Sequence, residues 1–215
     1  MAGVGAAPEP EQFFAAISAR DEEAVRRWLA DDPALARSRN AAGISDVLWA
    51  CYNRQPELAR ELAACAGELD VFEATALDHA DRVRELVEKD SALLSARTPD
   101  GYHALEIAAF FAAPAALRVL LDAGANVNQA ASNPMRVTAL HAVAAGGRAD
   151  LVQALLDYGA DPNVRQLGGF TPLHAAVHLG DQAMAQALLA AGADPGARTD
   201  DGSTPDDLRG RERLS

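Results

Sequence analysis

Lysine is nearly missing from this 215-residue chain: Lys89 is its one lysine, the other eighteen basic residues are arginines, and 31 acids leave a formal net charge of −12. That balance argues against nucleic acid or an anionic membrane surface as the main ligand, because either would be repelled. It permits a basic partner without demanding one. Acids such as Asp21-Glu22-Glu23 and Asp200-Asp201 read first as groups that solvate helix starts and hairpin tips. Aromatic residues make up only 5% of the chain while hydrophobic ones reach 49%, the excess being alanine. A core built around large rings is thereby excluded, and close helix-on-helix stacking is favoured.

Two cysteines, Cys51 and Cys65, cannot make a disulfide framework and are expected as buried, reduced thiols. No run approaches the roughly eighteen apolar residues of a membrane span. Residues 1–10 show no basic stretch followed by an apolar one, so no secretory signal is visible and a cytoplasmic location is expected. Also missing are a Gly-rich phosphate loop, a Gly-x-Ser-x-Gly elbow and a Cys-x-x-Cys pair. Nothing can be assembled into a nucleophile, a base and an oxyanion donor, so neither catalysis nor a cofactor is expected. Scarce lysine beside abundant alanine and arginine suits a GC-rich, bacterial coding sequence.

What the chain does have is a period. Thr171-Pro172-Leu173-His174-Ala175-Ala176 is followed by Gly180 and by Leu188-Leu189-Ala190-Ala191-Gly192-Ala193-Asp194. Thirty-three residues upstream stand Thr138-Ala139-Leu140-His141-Ala142-Val143, Gly147 and Leu155-Leu156-Asp157-Tyr158-Gly159-Ala160-Asp161, and thirty-three downstream stands Thr204-Pro205. Within one period, Thr171 can cap a helix whose first residue is Pro172, where a missing amide hydrogen costs nothing. Leu173, Ala176 and Val177 share one face. Gly180 ends the first helix, and a second over Gln182 to Leu189 stops at Gly192. Two such short helices bury too little to stand alone, so each unit must stack on its neighbours.

A period of this length with this punctuation resembles the ankyrin-repeat family. The resemblance implies an all-α solenoid of stacked helix-turn-helix units with short hairpin loops. It also implies a monomeric protein-binding module that recognises a partner protein with the concave side, lined by hairpins and first helices. Units are expected to begin near 11, 45, 69, 103, 138 and 171, with a partial cap from 204, giving a domain over 11–210 between tails 1–10 and 211–215. The N-terminal units are degenerate, but Phe14 to Ala50 overlays Phe72 to Ala108 at a constant offset of 58. The first half therefore reads as a duplicated pair of units whose 24-residue member, 45–68, lacks a hairpin and ends in a tight turn at Glu68-Leu69-Asp70. Residues 11–44, with Glu22, Glu23, Arg26 and Arg27 on the outer helix, read as the capping unit.

Several groupings invite a more specific reading. His174 and His178 have metal-ligand spacing, yet no glutamate stands between them and only two ligands are in register, so a metal-dependent enzyme is a remote alternative. The family resemblance gives His141 and His174 a structural role instead, bonding within and between hairpins. Asp78-His79 with Asp81 falls where other units turn between helices and reads as a solvated loop. On the surface, the column of His178 contains Ser18, Tyr52, Ala76, Phe110 and Ala145, and the next column contains Phe111. Phe110 and Phe111 put apolar bulk where the core face does not need it. With Tyr102, Trp49 and Tyr52 they form a candidate aromatic patch, the sort of surface that dominates binding hot spots; the competing reading is packing against neighbouring units. His178 itself and the lengthened hairpin tip at Asn133-Pro134 complete the candidate partner-binding set. A dedicated inhibitor or immunity-type protein directed at one enzyme is the alternative to a general binding module.

Overall fold

The computed structural model describes residues 8–210, which form twelve α-helices and no strand. They pair as α1 (Pro10–Ala19) with α2 (Glu22–Asp31), α3 (Asp46–Tyr52) with α4 (Pro56–Ala66), and α5 (Val71–Ala76) with α6 (Ala80–Lys89). The remaining pairs are α7 (Ala104–Phe110) with α8 (Pro114–Asp122), α9 (Ala139–Ala145) with α10 (Ala149–Asp157), and α11 (Pro172–Leu179) with α12 (Gln182–Ala190). First helices stack directly on one another and second helices lie behind them. Isolated bridges at Arg39–Ser45, Arg97–His103 and Ala130–Thr138 close the hairpins.

Each unit starts and stops for local reasons. Thr138 accepts the His141 amide, and Pro172 occupies the first turn of α11, where it costs no hydrogen bond. Gly180 adopts a left-handed φ of +70° that ends α11. The same turn position in the earlier units is filled by Arg20, Arg54, Asp78 and Ala112, all held at positive φ without being glycine. One of them has a further use: the Asp78 carboxylate accepts the Ala116 amide at 2.7 Å and so caps α8 of the next unit, which lacks a cap of its own.

Two unit starts differ from those expected. The first helix begins after Glu9 rather than at Glu11, because Pro10 is already suited to a first helical position. In the third unit the cap is Asp70, not Leu69: its carboxylate accepts the amides of Phe72 and Glu73, Glu73 reaches back to the Asp70 amide, and Leu69 is buried. Residues 1–7 and the tail 211–215 lie outside the described residues. From Thr204 the chain makes only a 3-10 turn, Asp206–Leu208.

The offset of 58 runs through the geometry well beyond Ala50. Asp32 and Asp90 share an unusual extended conformation (φ −142°, ψ 93° and φ −144°, ψ 97°) and each opens a 3-10 turn. Arg39–Ser45 maps onto Arg97–His103, Gly43 onto Gly101, Arg54 onto Ala112, and Pro56 onto Pro114 at the start of a second helix. Between the copies, α4 reaches α5 through residues 67–70 without a hairpin. The flanking hairpins close over that gap, so that a Cβ on Gly43 would lie 3.3 Å from Pro99.

The core is continuous from Phe13 and Ile17 through Leu58, Leu62, Leu117, Leu120 and Leu140 to Leu188, with alanines between them. Cys51 is buried, and burial pushes its thiol up to about 12. Cys65 is exposed, contrary to expectation, because it falls on the outer side of α4 between the buried Ala63 and Ala66.

Candidate functional site

The first helices end in a row, and at the end of that row sit Tyr52, Phe110 and Phe111. Their ring centroids lie 5.0 Å apart for Phe110 and Phe111, 5.6 Å for Tyr52 and Phe111, and 6.4 Å for Tyr52 and Phe110. Tyr52 and Phe110 are one position of the duplicated pair, 58 residues apart, yet they touch. They can do so because the intervening unit offers only Ala76 at this place and its first helix has just six residues. Phe110 is 64% exposed, whereas Phe111 and Tyr52 are half-buried.

These rings line a groove of about 900 Å³ that runs from the turns at Arg54 and Ala112 towards the hairpins at Tyr102, Met135 and Gln166. Its apolar lining continues along the hairpins. The residue before each cap is Ile44, Tyr102, Val137 or Phe170 in successive hairpins, and Phe170, Leu167 and Met135 remain exposed. The Leu167 amide donates to the Met135 carbonyl at 2.9 Å, which joins the hairpins before α9 and α11 into one edge.

The polar groups are segregated along the groove. Arg54 and Arg60 stand at the turn end, Arg60 paired with Glu57 at 2.6 Å. The other end holds Glu106, in the first turn of α7, while Asp100 lies outside the groove in the neighbouring hairpin pocket. Glu106 is buried and accepts the His103 amide at 2.6 Å, with the His103 ring Nδ1 at 3.0 Å; burial raises its carboxyl to about 7. The Tyr52 hydroxyl and Asp100 Oδ1 are both buried without a hydrogen-bond partner. The two face each other, and burial first, then the Asp100 charge and a hydrogen bond that the hydroxyl can donate to that carboxylate, push the Tyr52 phenol above its usual range. Behind the groove, Asp46 is fully buried with Oδ2 unpartnered, and burial, reinforced by Glu73, raises it to about 7.

The remaining candidates fall elsewhere. Trp49 donates from its indole nitrogen to Ser18 at 3.0 Å and packs edge-on against Phe14, so it joins the first two units instead of the patch. Asn133 ties its hairpin to the preceding one: its amide nitrogen donates to the Asp100 carbonyl at 3.1 Å, while its oxygen accepts the Met135 amide within its own hairpin. His178 is half-buried near the end of α11 and does not line the groove. His174 is committed on both sides: its Nδ1 accepts the Thr171 amide at 3.1 Å, leaving Nε2–H for the Ser203 carbonyl at 3.3 Å. His141 does the same with Thr138 and the Phe170 carbonyl, and burial lowers it to about 4. Neither ring has a nitrogen to spare for a metal, and among the described residues no three His, Cys, Asp or Glu side chains converge on one. The pairing of His174 with His178 as metal ligands is thereby set aside.

A repeated Thr-x-x-His cap bonding forward to the next hairpin is the decisive local feature, and residues 128–199 match the family model described as ankyrin repeats (3 copies). Residues 128–199 carry ankyrin repeats. A human relative, BCL-6 corepressor-like protein 1, is 34% identical over 106 residues, which is 49% of this chain and 6% of that protein. The chain thus spans a small fraction of the curated relative it matches. Ankyrin repeats generally mediate protein–protein interaction, and among the described residues no helix is long and apolar enough to cross a membrane.

Proposed function

We propose that this ankyrin-repeat chain binds a partner protein in the groove between its first helices and hairpins, with Phe110 at the centre of the contact and no chemistry of its own. The observation that carries the reading is the exposure of Phe110 within a three-ring cluster. A ring left 64% in water, although its neighbours pack against it, is apolar area available to a partner. The exposed hairpin residues Met135, Leu167 and Phe170 extend the same apolar surface. The groove is open and the interior histidines are engaged, which suits recognition better than an enclosed reaction site. Monomeric action follows from the same scheme, since the groove and not a self-complementary face meets the partner.

Photo-cross-linking in the organism of origin tests this. A benzoylphenylalanine placed at 110 is expected to capture a discrete protein that the same probe at Glu88, exposed on α6, does not. Phe110→Ala should leave thermal unfolding nearly unchanged and weaken that capture by on the order of 2 kcal/mol, roughly thirtyfold in Kd. Phe111, half-buried, would report packing as well as binding, so Phe110 is the cleaner substitution. Equal capture by the variant, or cross-links only from the second helices, would overturn the proposal.

A further inference from the structure

Resting on the protein-binding reading, we infer that the partner segment in this groove is acidic, setting a glutamate or aspartate side chain on Arg54 and an apolar neighbour on Phe110. The charge that the groove leaves unanswered is positive. Its two lining carboxyls are already engaged. Asp78 accepts the Ala116 amide at 2.7 Å, where the start of α8 offsets its charge. Glu106 accepts the His103 amide at 2.6 Å, and burial raises it to about 7, so that below neutral pH it is mostly uncharged. The guanidinium groups are not engaged to the same degree. Arg54 is exposed and makes no hydrogen bond or ion pair among the described residues. Arg60 has only Glu57, in a pair exposed on both sides and therefore weak and exchangeable. Arg20, the counterpart of Arg54 in the first unit, donates to the Asn53 carbonyl at 3.2 Å and so stands beside Arg54, again without a carboxylate among the described residues.

The ring wall sets what must accompany the acid. The Tyr52 hydroxyl is turned to Asp100, outside the groove, so Tyr52, Phe110 and Phe111 present an apolar surface that ends at the arginines. An apolar side chain laid on Phe110 displaces water from the turn end, and a carboxylate next to it can be met by a guanidinium fork in two parallel bonds. A lysine or arginine in that place would face like charge and find no free carboxylate. The overall charge of −12 acts against an acidic segment at long range, but at physiological salt charges beyond about 8 Å are largely screened. It therefore slows encounter, and the local arginines decide retention.

The test uses the full chain and peptide probes: an acetylated, amidated hexapeptide with one central glutamate between leucines, and the same peptide with glutamine or lysine in its place. Binding is followed by NMR through the side-chain resonances of Tyr52, Phe110 and Phe111 and the Nε–H of Arg54. The glutamate peptide is expected to shift all four and to bind roughly fivefold more tightly than the glutamine peptide, the upper end for an ion pair at a surface. That advantage should fade in about 0.5 M salt. Arg54→Gln, first checked for an unchanged melting temperature, should erase it, while Arg84→Gln on the outer helix α6 should leave it intact. Phe110→Ala should weaken the glutamate and glutamine peptides alike. Equal binding of those two peptides, tighter binding of the lysine peptide, or an advantage that survives Arg54→Gln would overturn the acidic occupant while leaving the groove a protein-binding site. Shifts confined to other residues, or none, would overturn it too, and the cross-linking from position 110 decides the protein-binding reading separately.

Discussion

At the scale of single residues, the first helices carry carboxyls where the later units carry histidine. Glu73 and Glu106 stand at the position of His141 and His174 and reach back to the cap amide in the same manner, at 2.9 Å and 2.6 Å. The substitution is legible in sequence because Asp-x-x-Glu is itself a capping pattern. Its electrostatic consequence is not legible, since that depends on stacking. Burial raises Asp46 and Glu106 to about 7 and Glu73 in the same direction, so these groups hold their protons in the folded chain at pH values where an unfolded chain has released them. A folded-state pKa above the unfolded one gives stability that is complete below about 4 and is lost as pH rises through about 7. The buried histidines, lowered in the fold, act the other way and lose stability as pH falls below about 6.5, so stability to urea is expected to be lower at pH 8 than at pH 5 to the extent that the three carboxyls outweigh them. Asp46→Asn, which fixes a neutral side chain next to the unpartnered Oδ2 position, should reduce that difference by a few kcal/mol at most and act mainly at pH 8. An equal loss at both pH values would show that Asp46 is not held protonated.

At the scale of elements, helix pairs, their turns and the shortened link at 67–70 follow from spacing, as does the column that places Tyr52 above Phe110. The position of Trp49 does not follow from spacing, because a residue at helical spacing from Tyr52 still turns away once Ser18 and Phe14 offer it a bond and a ring. Likewise spacing does not mark Met135, Leu167 and Phe170 as a surface. Their exposure is set by where neighbouring hairpins end, although an apolar residue before each cap was the available signal. The turn between first and second helices offers a test of element energetics. Ala112 sits at φ +54°, where the later units place glycine, and a left-handed alanine costs about 1 kcal/mol. Ala112→Gly is expected to stabilise by roughly 0–0.5 kcal/mol after the added freedom of the unfolded glycine is counted. Urea denaturation showing a loss instead would mean that the Ala112 methyl contributes packing worth more than its strain.

At the scale of the whole molecule, the duplication makes part of the chain dispensable. Residues 46–103 span one offset of 58, beginning just after one cap and ending on its equivalent. Excising them would join Ser45 to Ala104 and place Ser45 three residues before Glu106, a reciprocal cap of the Ser-x-x-Glu type. The first unit would meet α7 as it now meets α3, but α8 would lose the Asp78 carboxylate that caps it, with Arg20 in its place. The excised chain of four helix pairs is expected to fold cooperatively with a lower melting temperature, since it has lost two unit interfaces. An unfolded or aggregated product would show that the two copies are no longer equivalent at their contacts. The folded product would keep Phe110 and Phe111 and lose Tyr52, so recognition would be separated from architecture by one cut. Seen this way, the 58-residue interval is a unit of inheritance as much as of structure: the stack can be lengthened or shortened by it without a frame error, and the aromatic groove exists only in chains that hold both copies.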